Sequence, residues 1–411
     1  MRNASVALTI LAVAAFAGAV NARAEFSYFN EESKSGGSMS TDDKPKGWLT
    51  NVGKNWMSHL PDTTPLNKIS IPGTHDSGAQ CCGIAVRTQT WTITEQLNAG
   101  IRYFDIRTRR TGKSFAIHHG AVFVKRMFGD VMNEVTGFLS KNPKEVVLIR
   151  IKSDEHTAQN GSQSNSAIWA SYKKRYGGYI YQGNNTLPTL GSARGKIVVL
   201  RNGIGTSSDG VSYSAADIQD KYKVYWLAHK MNDGEKVSLP SKKDVIKAQI
   251  RDAKTPKSGK LYLNHLSGAM GMTPKDVARA TNGETYKYIA GRRGPLGVVI
   301  MDFPGDKLVY RIIKSNFRSS EFCSPKTFRT VSAKTWAEFR LPKKREGSTI
   351  TVKGGAYNKY VFPKCNRVHW SDLTFYCDGK KGWKKTKGKW GSDALCHGSK
   401  GKSPYVAVGN R

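Results

Sequence analysis

From residue 51 to 317 short β-branched or aromatic runs alternate with helical patterns, and this alternation restricts the fold more than any other feature. The runs fall at 68–71, 101–108, 145–151, 196–200, 222–227, 260–263 and 296–303. Helical periodicity occupies 130–139, 167–176, 244–253, 274–280 and 306–317 between or after them. Strand and helix in turn imply βαβ units and a mainly parallel sheet. That many strands in such a span fit a closed or nearly closed (β/α)8-like barrel. An open doubly wound sheet is the alternative, but no Gly-rich dinucleotide or phosphate-loop fingerprint supports it.

The flanks have a different texture. Arg2, an apolar run over 6–20 and Ala22-Arg23-Ala24 match a signal peptide spanning 1–24, with cleavage near Ala24. The apolar run is short for a membrane anchor, so a secreted protein, extracellular or periplasmic, is expected. Residues 25–47 are polar and read as a flexible leader. The catalytic barrel is placed at 48–319 and a basic module at 320–411. From Glu321 to Arg411 there are 20 Lys or Arg against 6 Asp or Glu. Trp370, Tyr376 and Trp383 are spread there among glycines and lysines without helical periodicity. Cys323, Cys365, Cys377 and Cys396 lie in this part, and a small β-rich domain pinned by disulfides is expected. Cys81 and Cys82 are adjacent. They form a vicinal disulfide, link to the C-terminal module, or stay buried as thiols. No cysteine spacing suits zinc, so no metal and no cofactor are expected. The net charge of +34 points to a polyanionic partner: nucleic acid, acidic glycan or an anionic bilayer.

In such a barrel the active site forms where strands end. The strand ends supply Gly73-Thr74-His75-Asp76, Asp105 and Arg107, His118-His119-Gly120, Lys152, Arg201, Asn264 and His265, and Asp302. These types suit phosphate diesters. A neutral imidazole can take a proton from an attacking hydroxyl, and a protonated one can give a proton to the leaving oxygen. An arginine fork matches the non-bridging oxygens. A carboxylate behind a histidine fixes its tautomer. Arg107 and Lys152 provide the positive charge a metal would otherwise supply.

Three motifs then resemble the bacterial-type phosphatidylinositol-specific phospholipases C: Ile69-Ser-Ile-Pro-Gly-Thr-His-Asp-Ser-Gly78, Glu95-Gln-Leu-Asn-Ala-Gly-Ile-Arg-Tyr-Phe-Asp-Ile-Arg107 and His118-His-Gly120. The resemblance continues through 142–152, 219–223 and 299–302, covering the barrel and none of the C-terminal module. It implies a distorted TIM barrel and a two-step reaction. The inositol 2-hydroxyl attacks phosphorus, giving diacylglycerol and inositol 1,2-cyclic phosphate, which is then slowly hydrolysed. The resemblance assigns His75 as general base backed by Asp302, His119 as general acid beside Asp76, and Arg107 as the phosphate-binding cation. In the calcium-dependent relatives a carboxylate replaces that arginine. Lys152, Arg201 and Asp220 fall where the family contacts the inositol hydroxyls, and Tyr222 where an aromatic stacks on the ring. His118 competes with His119 across a short loop.

Two other functions share part of this residue set. A secreted ribonuclease uses similar groups and would suit the charge, yet has no reason to carry the inositol-type motifs. A binding protein on a dead barrel would have lost His75, His119 or Arg107. The partners expected are an inositol phospholipid at an anionic membrane surface and, through the C-terminal module, a glycan or other polyanion. No specific nucleic acid is expected.

Overall fold

The computed structural model describes residues 39–40, 43–154, 163–226 and 236–317, and beyond them only strand backbone. The expected signal peptide, 1–24, and most of the expected leader, 25–47, lie outside the described residues. Tyr28–Asn316 cluster as one compact unit and the chain from Phe317 onward belongs to another, so each is taken by itself. In the second unit the described backbone forms antiparallel ladders, such as Thr349–Gly354 with Ala356–Val361 and Leu373–Cys377 with Tyr405–Asn410. Its side chains, and with them the four cysteines, lie outside the described residues. No helix among the described residues is long and apolar enough to cross a membrane.

The first unit is built on strands β1 Ile71–Thr74, β2 Tyr103–Thr111, β3 Ser114–His119, β4 Val122–Met127, β5 Val147–Ser153, β6 Ile197–Asn202, β7 Val211–Ser212, β8 Asp217–Gln219, β9 Lys223–Tyr225, β10 Lys236–Ser238, β11 Tyr262–His265, β12 Ala269–Met270 and β13 Val298–Met301. Eight are parallel, in the order β7-β6-β5-β2-β1-β13-β11-β8. Read round from β1, this is sequence order, as in a (β/α) barrel. The ladder stays open between β7 and β8, which makes the sheet a curled, incomplete barrel. Helices that pack outside it include α1 Phe128–Lys141, α2 Asn165–Tyr176, α3 Leu239–Ala253, α4 Pro274–Tyr288 and α5 Asp306–Lys314.

Parallel strands covered on both faces read as unbroken apolar runs. Val146, Val147, Leu148, Ile149 and Ile151 are all buried in β5 and the residue before it. Each such side chain contributes roughly 1.5–3 kcal/mol by leaving water. The closed lower end is held by Arg102. Its guanidinium pairs with Glu145 (2.8 and 2.9 Å) and donates to the carbonyls of Gly53, Lys54, Leu97 and Ile101. With every donor engaged, a fully buried charge is tolerated.

Two expectations are corrected by the topology. Residues 222–227 do not form a barrel strand: β9 pairs with β10 and β12 in a separate parallel ladder. The reason lies in its alternation. Val224 is buried against Leu239, Met272 and Val277, whereas its neighbours Lys223 and Tyr225 on the other face are only half-buried. That is a half-buried strand, and the short β7 and β8 take the barrel positions. The first strand begins three residues later than the apolar run suggested, because Leu66–Lys68 form a turn of 3-10 helix. The antiparallel hairpin of β3 and β4 on the upper half of β2 was foreseen only as a short segment ending in two histidines.

Candidate active site

The loop after β1 has a local logic that begins with Gly73. A Cβ at Gly73 would meet Tyr103 Cβ at 2.8 Å, so β1 and β2 can approach only with glycine there. The Thr74 hydroxyl donates to Gln96 Oε1 (2.7 Å), and the Ser77 hydroxyl donates to the Thr74 carbonyl and accepts from the Asp105 backbone N–H. These buried hydroxyls lock the turn. Asp76 sits at φ +40°, a left-handed value costly for a residue with a Cβ. The turn sends His75 and Asp76 into the open end of the barrel.

His75 Nδ1 lies 2.9 Å from Asp302 Oδ1, just past the end of β13. With the Nδ1 proton on Asp302, Nε2 carries the lone pair, and Arg107 Nη2 donates to it at 2.7 Å. Arg107 Nε is also 2.7 Å from Asp76 Oδ1, and Nη2 is 3.4 Å from Asp105 Oδ2. Across the site, His119 Nδ1 donates to the Val86 carbonyl (2.7 Å), which leaves Nε2 facing Asp76 Oδ2 at 3.4 Å. His75 Nε2 stands the same 3.4 Å from that oxygen. One carboxylate therefore lies between two imidazoles, with a guanidinium alongside. His118 projects elsewhere, its ring 5.6 Å from that of Phe123. Of the two adjacent histidines, His119 is the one with a described contact to Asp76.

Burial, and after it the Arg107 charge, hold His75 well below its ordinary pKa, so the imidazole is neutral at physiological pH. Burial, with Asp76 adding, pushes Asp302 upward and makes it a strong acceptor for the Nδ1 proton. Burial alone would raise Asp105, but Arg150 and Arg107 overcome it and keep the group ionised. Arg107 in turn is raised by Asp76 and Asp105 against its burial, so it is a permanent cation.

Of the remaining candidates, Lys152 lies beside Arg107 in the β2–β5 register, half-buried, its pKa lowered by burial and then by Arg107 and Arg150. Asp220 is held low, against its burial, by His265, Lys242, Arg150 and Arg107. Tyr222 is exposed at the rim. Arg201 is not brought into the cluster. Its partner in register is Ile151, on the face opposite Arg150 and Lys152, and its guanidinium donates to Asn185 Oδ1 at 2.7 Å.

The structure adds Arg150, Tyr213 and Lys242 to the site and gives partners to Asp105 and His265, which the strand ends had offered without a role. Asp105 and Arg150 face each other across β2 and β5 at 3.2 Å, and Arg150 stacks over Tyr213 at 4.0 Å. Asp105-x-Arg107 and Arg150-x-Lys152 carry a signal for this in their spacing, since alternate residues share one face of a strand. His265 lies edge-on to His75 at 5.8 Å. Lys242 is buried on α3 and donates to the carbonyls of Lys221 (2.6 Å) and His265 (2.7 Å). Burial pushes it down to about 7. One more lysine in a chain this basic gave no sign of that.

Residues 63–202 match the family model described as phosphatidylinositol-specific phospholipase C, X domain. The chain is 32% identical over 290 residues to the 1-phosphatidylinositol phosphodiesterase of Listeria monocytogenes, covering 64% of this chain and 85% of that protein. It is 29% identical over 298 residues to the enzyme of the same name from Staphylococcus aureus, covering 65% and 96%. The solved Listeria monocytogenes phosphatidylinositol-specific phospholipase C superposes with a TM-score of 0.54 at 31% identity, over 65% of this chain and 99% of that one. A Staphylococcus aureus structure gives 0.57 at 28% identity, over 66% and 99%.

Proposed function

The chain belongs to the bacterial phosphatidylinositol-specific phospholipase C family and is a phosphodiester-cleaving enzyme of that kind, and on this premise we propose that it is secreted and cleaves phosphatidylinositol, or the glycosylated form, to diacylglycerol and inositol 1,2-cyclic phosphate. The observation that carries the reading is the pair of imidazoles held on either side of Asp76 with Arg107 in contact.

A substrate hydroxyl takes the place of the Arg107 donor at His75 Nε2, and the guanidinium turns that donor to a non-bridging phosphate oxygen. His75 accepts the 2-hydroxyl proton as the ring oxygen bonds to phosphorus. The imidazolium so formed is stabilised by the Asp302 carboxylate. Charge growing on the phosphate is met by Arg107 and Lys152. The bond from phosphorus to the diacylglycerol oxygen breaks, and His119 Nε2–H supplies the proton that this oxygen needs. In the second step the roles reverse: His119 takes a proton from water and His75 returns one to the ring oxygen. Asp220 and Tyr222 are proposed to contact the inositol ring. Arg201 would have to leave Asn185 to do so.

Metal independence is part of the proposal. His75, Asp76 and Asp105 offer ligand atoms within 4.8 Å of one another. The Arg107 guanidinium, however, already lies against one atom of each. A divalent ion there would face a fixed cation in direct contact with its ligands. Exposed apolar side chains support a membrane-bound substrate: Ile84 in loop 79–89 (77% exposed), Trp226 just after β9 (62%), Met270 on β12 (69%) and Phe123 on β4 (44%).

The test is release of inositol phosphate from phosphatidylinositol vesicles in excess chelator. The rate is expected to equal that without chelator. Loss of activity that calcium restores would contradict the metal-free mechanism, and no release under either condition would contradict the function.

A further inference from the structure

We propose that the Cys81–Cys82 bond is a positioning element for His119, acting through the loop that carries its backbone partner. The proposal rests on His119 as the proton donor and adds a part of the site outside the family motifs. The two sulfurs are bonded, which selects one of the three arrangements open to adjacent cysteines. The bond lies at the tip of loop 79–89. The stem of this loop is closed by Thr88 and Gln89 N–H donating to the Ala79 carbonyl (3.0 and 3.1 Å). Within the tip, Val86 and Arg87 N–H donate to the Gly83 carbonyl (3.2 and 2.9 Å). That single turn presents the Val86 carbonyl to His119 Nδ1 at 2.7 Å.

The turn starts from two consecutive left-handed residues, Cys82 at φ +78° and Gly83 at φ +97°. Glycine adopts this region freely, whereas in cysteine the Cβ crowds the following carbonyl oxygen there. Closing a ring between adjacent side chains restricts the backbone dihedrals between them and holds Cys82 where an open chain would leave. Cys82 Sγ also lies 3.8 Å from the Phe123 carbonyl, on the hairpin that bears His119. The cysteine is exposed, so a small reductant can reach it.

A dithiol reductant would transfer two electrons and two protons to the bond, giving two thiols and a cyclic disulfide of the reagent. Cys82 is then free to leave the left-handed region, and the Val86 carbonyl moves off His119. Without that acceptor the imidazole loses both its orientation and the tautomer that places the working nitrogen toward Asp76. The step affected is protonation of the leaving oxygen, so kcat should fall and KM should not.

The experiment compares the oxidised and dithiol-reduced full-length protein on a soluble inositol phosphodiester, then re-oxidises it. Reduction is expected to lower kcat about tenfold, the lower range for losing a histidine's orienting partner, with KM unchanged and activity recovered on re-oxidation. The double variant Cys81→Ser/Cys82→Ser should have the low kcat and no response to reductant. If it still responds, the cysteines of the C-terminal module are responsible and the proposal is overturned. Independently of turnover, at a pH high enough to leave the ring neutral, the imidazole nitrogen-15 spectrum should show His119 as the Nδ1–H tautomer when oxidised and as a mixture of tautomers when reduced. An unchanged His119 spectrum on reduction would also overturn it. A protein with no turnover in either state, but with the spectral change, would instead count against the proposed function.

Discussion

His75→Ala is expected to lower kcat on phosphatidylinositol by about 10³-fold or more while leaving the fold in place, at the upper part of the range for removing a general base. Among the described residues, His75 is the imidazole whose Nε2 accepts from the phosphate-binding guanidinium. His265 is the nearest second imidazole, yet its ring centroid is 5.8 Å away and Tyr213 holds its Nε2 at 3.3 Å. The same environment sets a pH dependence. A base must be neutral to act, and burial with Arg107 lowers the His75 pKa well below its usual value. Activity should therefore persist as pH falls through 6.5, the ordinary histidine value, and decline only well below it. An acid limb of kcat/KM at or above 6.5 would contradict the described packing.

The second large effect belongs to Arg107. Arg107→Leu is expected to cost about 10³-fold in kcat, as for other preorganised charge stabilisers. It should also destabilise the protein. Asp76 and Asp105 are both buried, and Arg107 contacts each. Removing the cation leaves Asp76 without its guanidinium and Asp105 with Arg150 alone, and breaking such a buried pair typically costs about 3–5 kcal/mol. Part of this should return as pH falls and the carboxylates take up protons. Arg107→Lys separates the two roles. One ammonium can restore much of the charge balance, but it lacks the planar fork that spans Asp76, Asp105 and His75. Thermal stability near that of the wild type with kcat still depressed is the expected pattern. Equal recovery of both would show that charge alone suffices.

How much of this was legible in the residues divides along a physical line. Parallel strands buried on both faces leave unbroken apolar runs, so β2, β5, β6, β11 and β13 could be read directly. Strand ends in such a sheet point at a common mouth, which is why His75, Arg107, His119 and Asp302 could be gathered before any coordinates. Two-residue strands such as β7 leave too short a pattern to read, and β9 imitated a barrel strand with three residues. Contacts that depend on rotamer and register were hidden. Asp76 could be named, but not its place between two imidazoles. Arg201 looked like a site residue because it ends a strand, yet register turns it to the other face. The Val86 carbonyl and the buried Lys242 have no side-chain signature at all: one is backbone, and the other is one of 65 Lys and Arg.

The central claim is that cleavage runs through a cyclic phosphodiester with the two histidines in separate roles. Phosphorus-31 NMR of phosphatidylinositol vesicles during turnover tests it most directly. Wild-type enzyme is expected to build up inositol 1,2-cyclic phosphate first and inositol 1-phosphate only later, with neither formed by His75→Ala or His119→Ala. Inositol 1-phosphate as the first product, or cyclic phosphate at wild-type rates from either variant, would contradict the account.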